Sequence, residues 1–217
     1  MPHSVMLSWE KSKGEDTLTR DKRFDNRSKD TFKKDIKFAT MLEGYFFSEW
    51  IERAANTSSV ILESWGDNGV NNDGEFIESG NSTMGADFKV SMFYKDKHYN
   101  NLPLEMKFVP TAGKLTLKKN DLRAYQKENA AILFVYNTKN CGLDMRKPRD
   151  YNLEKHVSKI EGKSKDIKWG IMFPEMVTEI LGLTNRFKKI QYMGGKEGIV
   201  IQSNEFDKFF DQHNWEV

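Results

Sequence analysis

Apolar side chains recur every three or four residues from Phe38 through Leu42, Tyr45, Phe46 and Trp50 to Ala54. That spacing predicts a helix with one apolar stripe. Val60-Ile61-Leu62 is a short strand candidate, and the Gly/Asn/Asp clusters after it predict a long surface loop over residues 66–84. Apolar runs at 86–93 and 102–109 flank a polar connection at 94–101 and read as a β-hairpin that Pro110 terminates. Residues 117–130 carry helical spacing, with Thr116 as a candidate N-cap and Leu122, Gln126 and Asn129 along one side. The unbroken apolar run 131–136 reads as a strand covered on both faces. Beyond an irregular, basic stretch at 139–168, the pattern predicts a strand at 169–173 and a helix opening at Pro174. A hairpin about Gly194-Gly195 and a closing helix over 204–213 complete it.

These elements predict an α/β fold, a mixed central β-sheet flanked by helices. The polar residues 1–37 read as an N-terminal arm, 38–140 as the core, and 141–217 as a C-terminal extension packed on that core. At 217 residues with 38% hydrophobic content the chain can bury a sizeable core. No apolar run approaches the roughly 20 residues that cross a bilayer, so no membrane partner is expected. A lone Cys141 excludes an intrachain disulfide framework and a cysteine-rich zinc cage, and the N-terminal residues hold no long apolar run. An intracellular, cytoplasmic setting is the expectation.

The net charge of +2 hides an uneven distribution. Between residues 41 and 87 nine acids face the single base Arg53, whereas between 107 and 127 six bases face Asp121 alone. An acidic half beside a basic half suits a cation site next to a polyanion track.

The candidate chemistry lies in the hairpin. Asp- or Glu-x-Lys occurs five times, at Asp35, Asp87, Glu105, Glu161 and Asp166, about as often as composition alone predicts, so context must separate the copies. Side chains alternate along a strand, which puts Glu105 and Lys107 on one face and Leu104, Met106 and Phe108 on the other. Asp87, on the preceding strand, comes opposite Glu105 if the hairpin register permits. Two carboxylates in one corner suit Mg²⁺, which keeps several waters and takes few protein ligands. Lys107 would then orient or deprotonate a water and offset charge in the transition state. The rival is Asp87-Phe88-Lys89 with Asp67 or Asp73 as its first acid. A plain surface hairpin with a cross-strand ion pair would use the same residues.

The order of elements (a helix bearing Glu43, a hairpin bearing Asp87 and Glu105-Met106-Lys107, a basic helix with Gln126, then a buried strand) resembles the PD-(D/E)xK nuclease superfamily over about residues 38–137. The resemblance implies a restriction-endonuclease-like core and Mg²⁺-dependent hydrolysis of DNA, with Mn²⁺ as a substitute metal and 5′-phosphate ends. It implies that Asp87 and Glu105 ligate the metal, that Lys107 is the active-site lysine, and that Glu43 and Gln126 support the site. Ala86 stands where the name-giving proline would be. Lys114, Lys118, Lys119 and Arg123 flank the site where they would grip DNA phosphates. A sequence-specific endonuclease of restriction or homing type is the leading expectation, with a homodimer as a way to present two sites to two strands. A structure-specific nuclease such as a junction resolvase, an RNase on the same scaffold, a non-catalytic nucleic-acid-binding protein and a structural protein with an incidental acid cluster are the alternatives.

Overall fold

In the computed structural model, residues 29–55, 59–68, 85–109, 113–139, 151–191 and 197–215 are described. The apolar stripe is helical: α1 (Lys29–Ala54) buries Phe38, Leu42, Phe46, Phe47, Trp50 and Ala54. It begins well before Phe38, inside the segment expected to be a polar arm. Distant partners anchor that first part. Asp35 is buried and accepts a hydrogen bond from Tyr151 Oη at 3.2 Å, and Phe38 meets the rings of Tyr151 and His156 edge-on. The rest of the expected arm, residues 1–28, lies outside the described residues.

The strands in chain order are β1 (Val60–Asp67), β2 (Phe88–Tyr94), β3 (Lys97–Val109), β4 (Lys114–Lys118), β5 (Ala131–Asn137), β6 (Ile167–Met172), β7 (Lys188–Gln191), β8 (Glu197–Gln202) and β9 (His213–Asn214). Among them lie α2 (Lys119–Glu128), α3 (Leu153–Glu161) and α4 (Pro174–Gly182). A six-stranded sheet runs β1-β2-β3-β5-β6-β9, and a three-stranded sheet runs β4-β8-β7. The large sheet is mixed: β3 and β5 are parallel and the other neighbours antiparallel. A parallel neighbour requires a crossover, which β4 and α2 supply. The expected α/β class with a mixed sheet is therefore observed. The C-terminal residues do more than pack on the core, because β6 and β9 extend its sheet.

Each face of the large sheet covers its own core. Leu104, Met106, Leu133, Val135 and Trp169 join α1 and Trp215 on one face. Ile132, Phe134 and Tyr136 join Leu122 and Tyr125 of α2, Val177 and Ile180 of α4, and Ile199 and Ile201 of β8 on the other. Every residue of β5 is buried, as its unbroken apolar run predicts.

Five local expectations change. Within the stretch expected to be irregular, residues 153–161 form α3, capped by Asn152, which accepts the Lys155 N–H at 2.8 Å. β1 runs on to Asp67, so it is longer than the three-residue candidate. Residues 94–101 do not form a long connection: Tyr94 pairs with Lys97 across a two-residue turn, and Lys95 takes a φ of 53° there. A bulge opposite Ser91 absorbs the polar Asn100-Asn101, with Asn101 N–H donating to Ser91 Oγ at 3.0 Å. Residues 114–118 form β4, not the start of a helix, because Leu115 and Leu117 alternate into the second core. Thr116 is thus a strand residue, and Lys118 precedes α2 without a side-chain cap.

The last change is at the end of the chain, where 204–213 forms a 3₁₀ segment (Ser203–Lys208) and then β9. Phe206, Phe209 and Phe210 sink into the second core while Trp215 enters the first, so the chain has to cross the edge of the sheet. One straight helix cannot serve both faces. The crossing is close: a Cβ on Gly170 would lie 2.6 Å from the Asp211 carbonyl oxygen and inside the Phe210 ring.

Candidate functional site

The site grows out of strand alternation in β3. Leu104, Met106 and Phe108 face α1, where Phe108 stacks on Phe46 with centroids 4.3 Å apart. Glu105 and Lys107 therefore share the opposite face. Pairing of β2 with β3 starts at Phe88 opposite Leu104, and continuing that register sets Asp87 opposite Glu105. The backbone before β2 is held from both sides. Asn68 donates its N–H to the Asp87 carbonyl and its Nδ2 to the Ala86 carbonyl, both at 2.9 Å. Ala86 N–H donates to Glu128 Oε2 at 3.0 Å. A proline at position 86 would lack that N–H, which gives the alanine a structural reason.

Past Leu104 the edge of β3 has no β2 residue beside it, and Glu43 reaches in from α1 to accept the Phe108 N–H. Glu43, Asp87 and Glu105, from three separate segments, thus all lie within the electrostatic reach of Lys107, which bonds Glu105. Glu105 is buried, and its Oε1 accepts from Lys107 Nζ and from Tyr125 Oη, the latter at 2.8 Å.

Crowding shows in the electrostatics. Burial raises Glu43 to about 7, against the opposing charge of Lys107, which outweighs the repulsion from Glu105. Burial, and then Glu105, raises Asp87 to about 7 as well, again against the opposing charge of Lys107. Burial alone would depress Lys107, but the charges of Glu105 and Glu43 and the bond to Glu105 hold it well above the usual lysine range. Lys107 is therefore an ammonium, not a free amine. Burial, with Glu105 adding to it, also pushes Tyr125 well above the ordinary phenol range. Its hydroxyl keeps its proton and donates. Among the described residues no group of three His, Cys, Asp or Glu side chains is disposed to hold a metal ion by itself.

The other candidates divide. Gln126 is exposed and donates to Thr178 Oγ1 at 3.4 Å, away from the carboxylates. Its neighbour Tyr125 occupies the inward position. The i,i+3 spacing of Leu122 and Tyr125 is the signal that identifies it, since both are buried. Lys114 begins β4, Lys118 lies 3.7 Å from Asp121, Lys119 pairs with Glu197, and Arg123 donates to Asn120. All four sit on β4 or α2, next along the chain from β3. In the rival arrangement Lys89 is exposed and Asp67 pairs with Phe88, while Asp73 lies outside the described residues. All three remaining Asp/Glu-x-Lys copies have structural partners, Asp166 pairing with Lys139 at 2.9 Å. Asp35 binds Tyr151, and Glu161 accepts from Tyr45, Arg53 and Trp215 Nε1.

Comparison with protein-family models, with curated proteins and with solved structures finds no match to this chain. No helix among the described residues is long and apolar enough to cross a membrane.

Proposed function

We propose that this chain is a Mg²⁺-dependent endonuclease that hydrolyses DNA phosphodiester bonds, with Mn²⁺ able to substitute, on a restriction-endonuclease-like core. The observation that supports it is the gathering of Glu43, Asp87 and Glu105 within reach of one lysine's charge, with Glu43 and Asp87 raised to about 7, chiefly by burial. Carboxylates crowded in this way favour a divalent cation, which offsets their charge. Asp87 and Glu105 are the residues that would hold it, and Glu43 would act through water, consistent with a metal that takes one or two carboxylates and keeps its own waters. Bound there, Mg²⁺ would supply Lewis-acid activation of a phosphoryl oxygen and a more acidic water.

The residues divide the remaining work. Tyr125 and Lys107 both engage Oε1 of Glu105, which leaves Oε2 as the oxygen for a ligand. Lys107, held protonated, stabilises negative charge on the phosphoryl group and orients the water; it is not the group that deprotonates it. Residues beyond β5 supply material for recognising a sequence, in line with a restriction or homing type.

One observation favours a second reading. The Glu105–Lys107 ion pair already neutralises one carboxylate, as it would in a nucleic-acid-binding protein without catalysis. Nicking of supercoiled plasmid separates the two. The nuclease reading expects nicking that needs Mg²⁺ or Mn²⁺ and is lost in Glu105→Ala while DNA binding persists. Nicking that survives in Glu105→Ala, or none from wild type with either metal, overturns it.

A further inference from the structure

The small sheet has no part in the carboxylate cluster, yet its charge is lopsided. In β4, α2, β7, β8 and the turn at Arg186, eight bases stand against Asp121, Glu128 and Glu197. The whole chain is nearly balanced, with 34 bases to 32 acids. This lobe is therefore more basic than the chain as a whole.

Strand register shows where these charges point. Leu115 and Leu117 face the second core, so Lys114, Thr116 and Lys118 face outward. Thr116 pairs with Val200, which pairs in turn with Lys188, so Lys188 lies on the same outer face. Around the end of the sheet, Lys119 bonds Glu197, and the charges of Lys189 and Arg123 act on that same carboxylate. One acid thus sits among three bases. Lys114 and Lys188 have no acidic partner among the described residues. This rim is at the N-terminal end of α2, and Tyr125, which holds Glu105, is six residues further along the helix. At 1.5 Å per residue that is about 9 Å, little more than one step of a phosphodiester backbone.

We infer that the outer face and rim of the β4-β8-β7 sheet form a nucleic-acid backbone track, in which Lys188 extends the outer face of Lys114 and Lys118, while Lys189, turned to the other side by strand alternation, joins Lys119 and Arg123 at the rim. The partner chemistry is a regular row of phosphates, read without base contacts. Lys188 and Lys189 reach the track only through the pairing of β7 with β8, some 65 residues or more beyond the other four in sequence. The track deepens the nuclease proposal by giving its substrate a path, but the charge and register that carry it do not depend on a cation site.

The test measures binding of a 30-base-pair DNA duplex by fluorescence anisotropy across a salt series, with the full chain in EDTA so that no cleavage intervenes. A triple variant Lys114→Gln, Lys188→Gln, Lys189→Gln is compared with a control of equal charge change, Lys159→Gln, Lys163→Gln, Lys165→Gln, at exposed sites at and just beyond the end of α3. Each lost phosphate contact lowers the slope of log affinity against log salt by about 0.9. The track variant should therefore lose about two to three units of slope and bind at least about tenfold more weakly at 0.1 M salt, and the control should stay near wild type. Equal losses in both variants, or none in the track variant, overturn the proposal. A single-stranded RNA arm run alongside identifies the polymer: weaker binding than duplex supports a duplex track, and RNA binding unaffected by the track variant shows that RNA uses another surface. Circular dichroism confirms that each variant is folded. Plasmid nicking with Mg²⁺ by wild type and Glu105→Ala, run in parallel, tests the carboxylate site, and anisotropy in EDTA tests the track, so the two readings can fail separately.

Discussion

Replacing Glu43 with glutamine tests whether the carboxylates crowd one another as the geometry implies. Glutamine keeps an oxygen that can accept the Phe108 N–H and removes only the charge. In the native state the acid titrates near 7, against 4.5 as its ordinary value. Between those values the folded chain holds a proton that the unfolded chain has released. Stability must therefore fall as pH rises through that window, and the loss is complete above about pH 8. A shift from 4.5 to about 7, at 1.36 kcal/mol per pH unit, sets an upper limit of about 3 kcal/mol. Glu43→Gln should match wild type near pH 4 and become more stable than it as pH rises, by up to about 3 kcal/mol at pH 8. Urea unfolding followed by tryptophan fluorescence, in EDTA at several pH values, measures the difference. Mg²⁺ at about a hundred times its dissociation constant should return about 2.7 kcal/mol to wild type, with tighter binding above pH 7 because protons no longer compete. A stability difference that is flat across pH, or that grows toward low pH, would refute the reasoning.

Three shorter predictions follow from single contacts. Tyr125→Phe removes a donor from a buried carboxylate, so it should cost about 1–3 kcal/mol in urea unfolding and weaken Mn²⁺ binding measured by electron paramagnetic resonance; unchanged values in both would show the bond is incidental. Gln126→Ala, at an exposed side chain turned toward Thr178, should change stability by less than about 0.5 kcal/mol and leave plasmid nicking intact. Gly170→Ala forces a methyl group into the Phe210 ring and the Asp211 carbonyl, so it should lower stability by about 1–3 kcal/mol or more; a thermal melt that does not move would mean the crossing segment yields freely.

Much of the site was legible because strand alternation is local. Glu105 and Lys107 had to share a face once Leu104, Met106 and Phe108 were assigned to a core, and no distant residue was needed to see it. The α1 stripe and the buried β5 were legible for the same reason. Tyr125 was missed because a phenol on a buried helix face reads as core until its hydroxyl has a partner, and that partner, Glu105, lies on another element. Gln126 enters only through the family resemblance, and its side chain turns toward Thr178. The closing segment misled because Phe206, Phe209 and Phe210 have helical spacing but must fill one core while Trp215 fills the other.

What the chain determines by itself is periodicity: which residues form helix or strand, and which side chains lie on one face of each. That information is carried by neighbours within a few positions and survives without any long-range contact. Only the tertiary structure decided that Asp87 stands across from Glu105, that Glu43 reaches the open edge of β3, and that β8 joins β7, with Lys188 and Lys189, to the sheet of β4. Those meetings depend on pairing register and on which face of the sheet each helix covers. Register and coverage are settled by packing between segments far apart in sequence, where no local pattern can specify them.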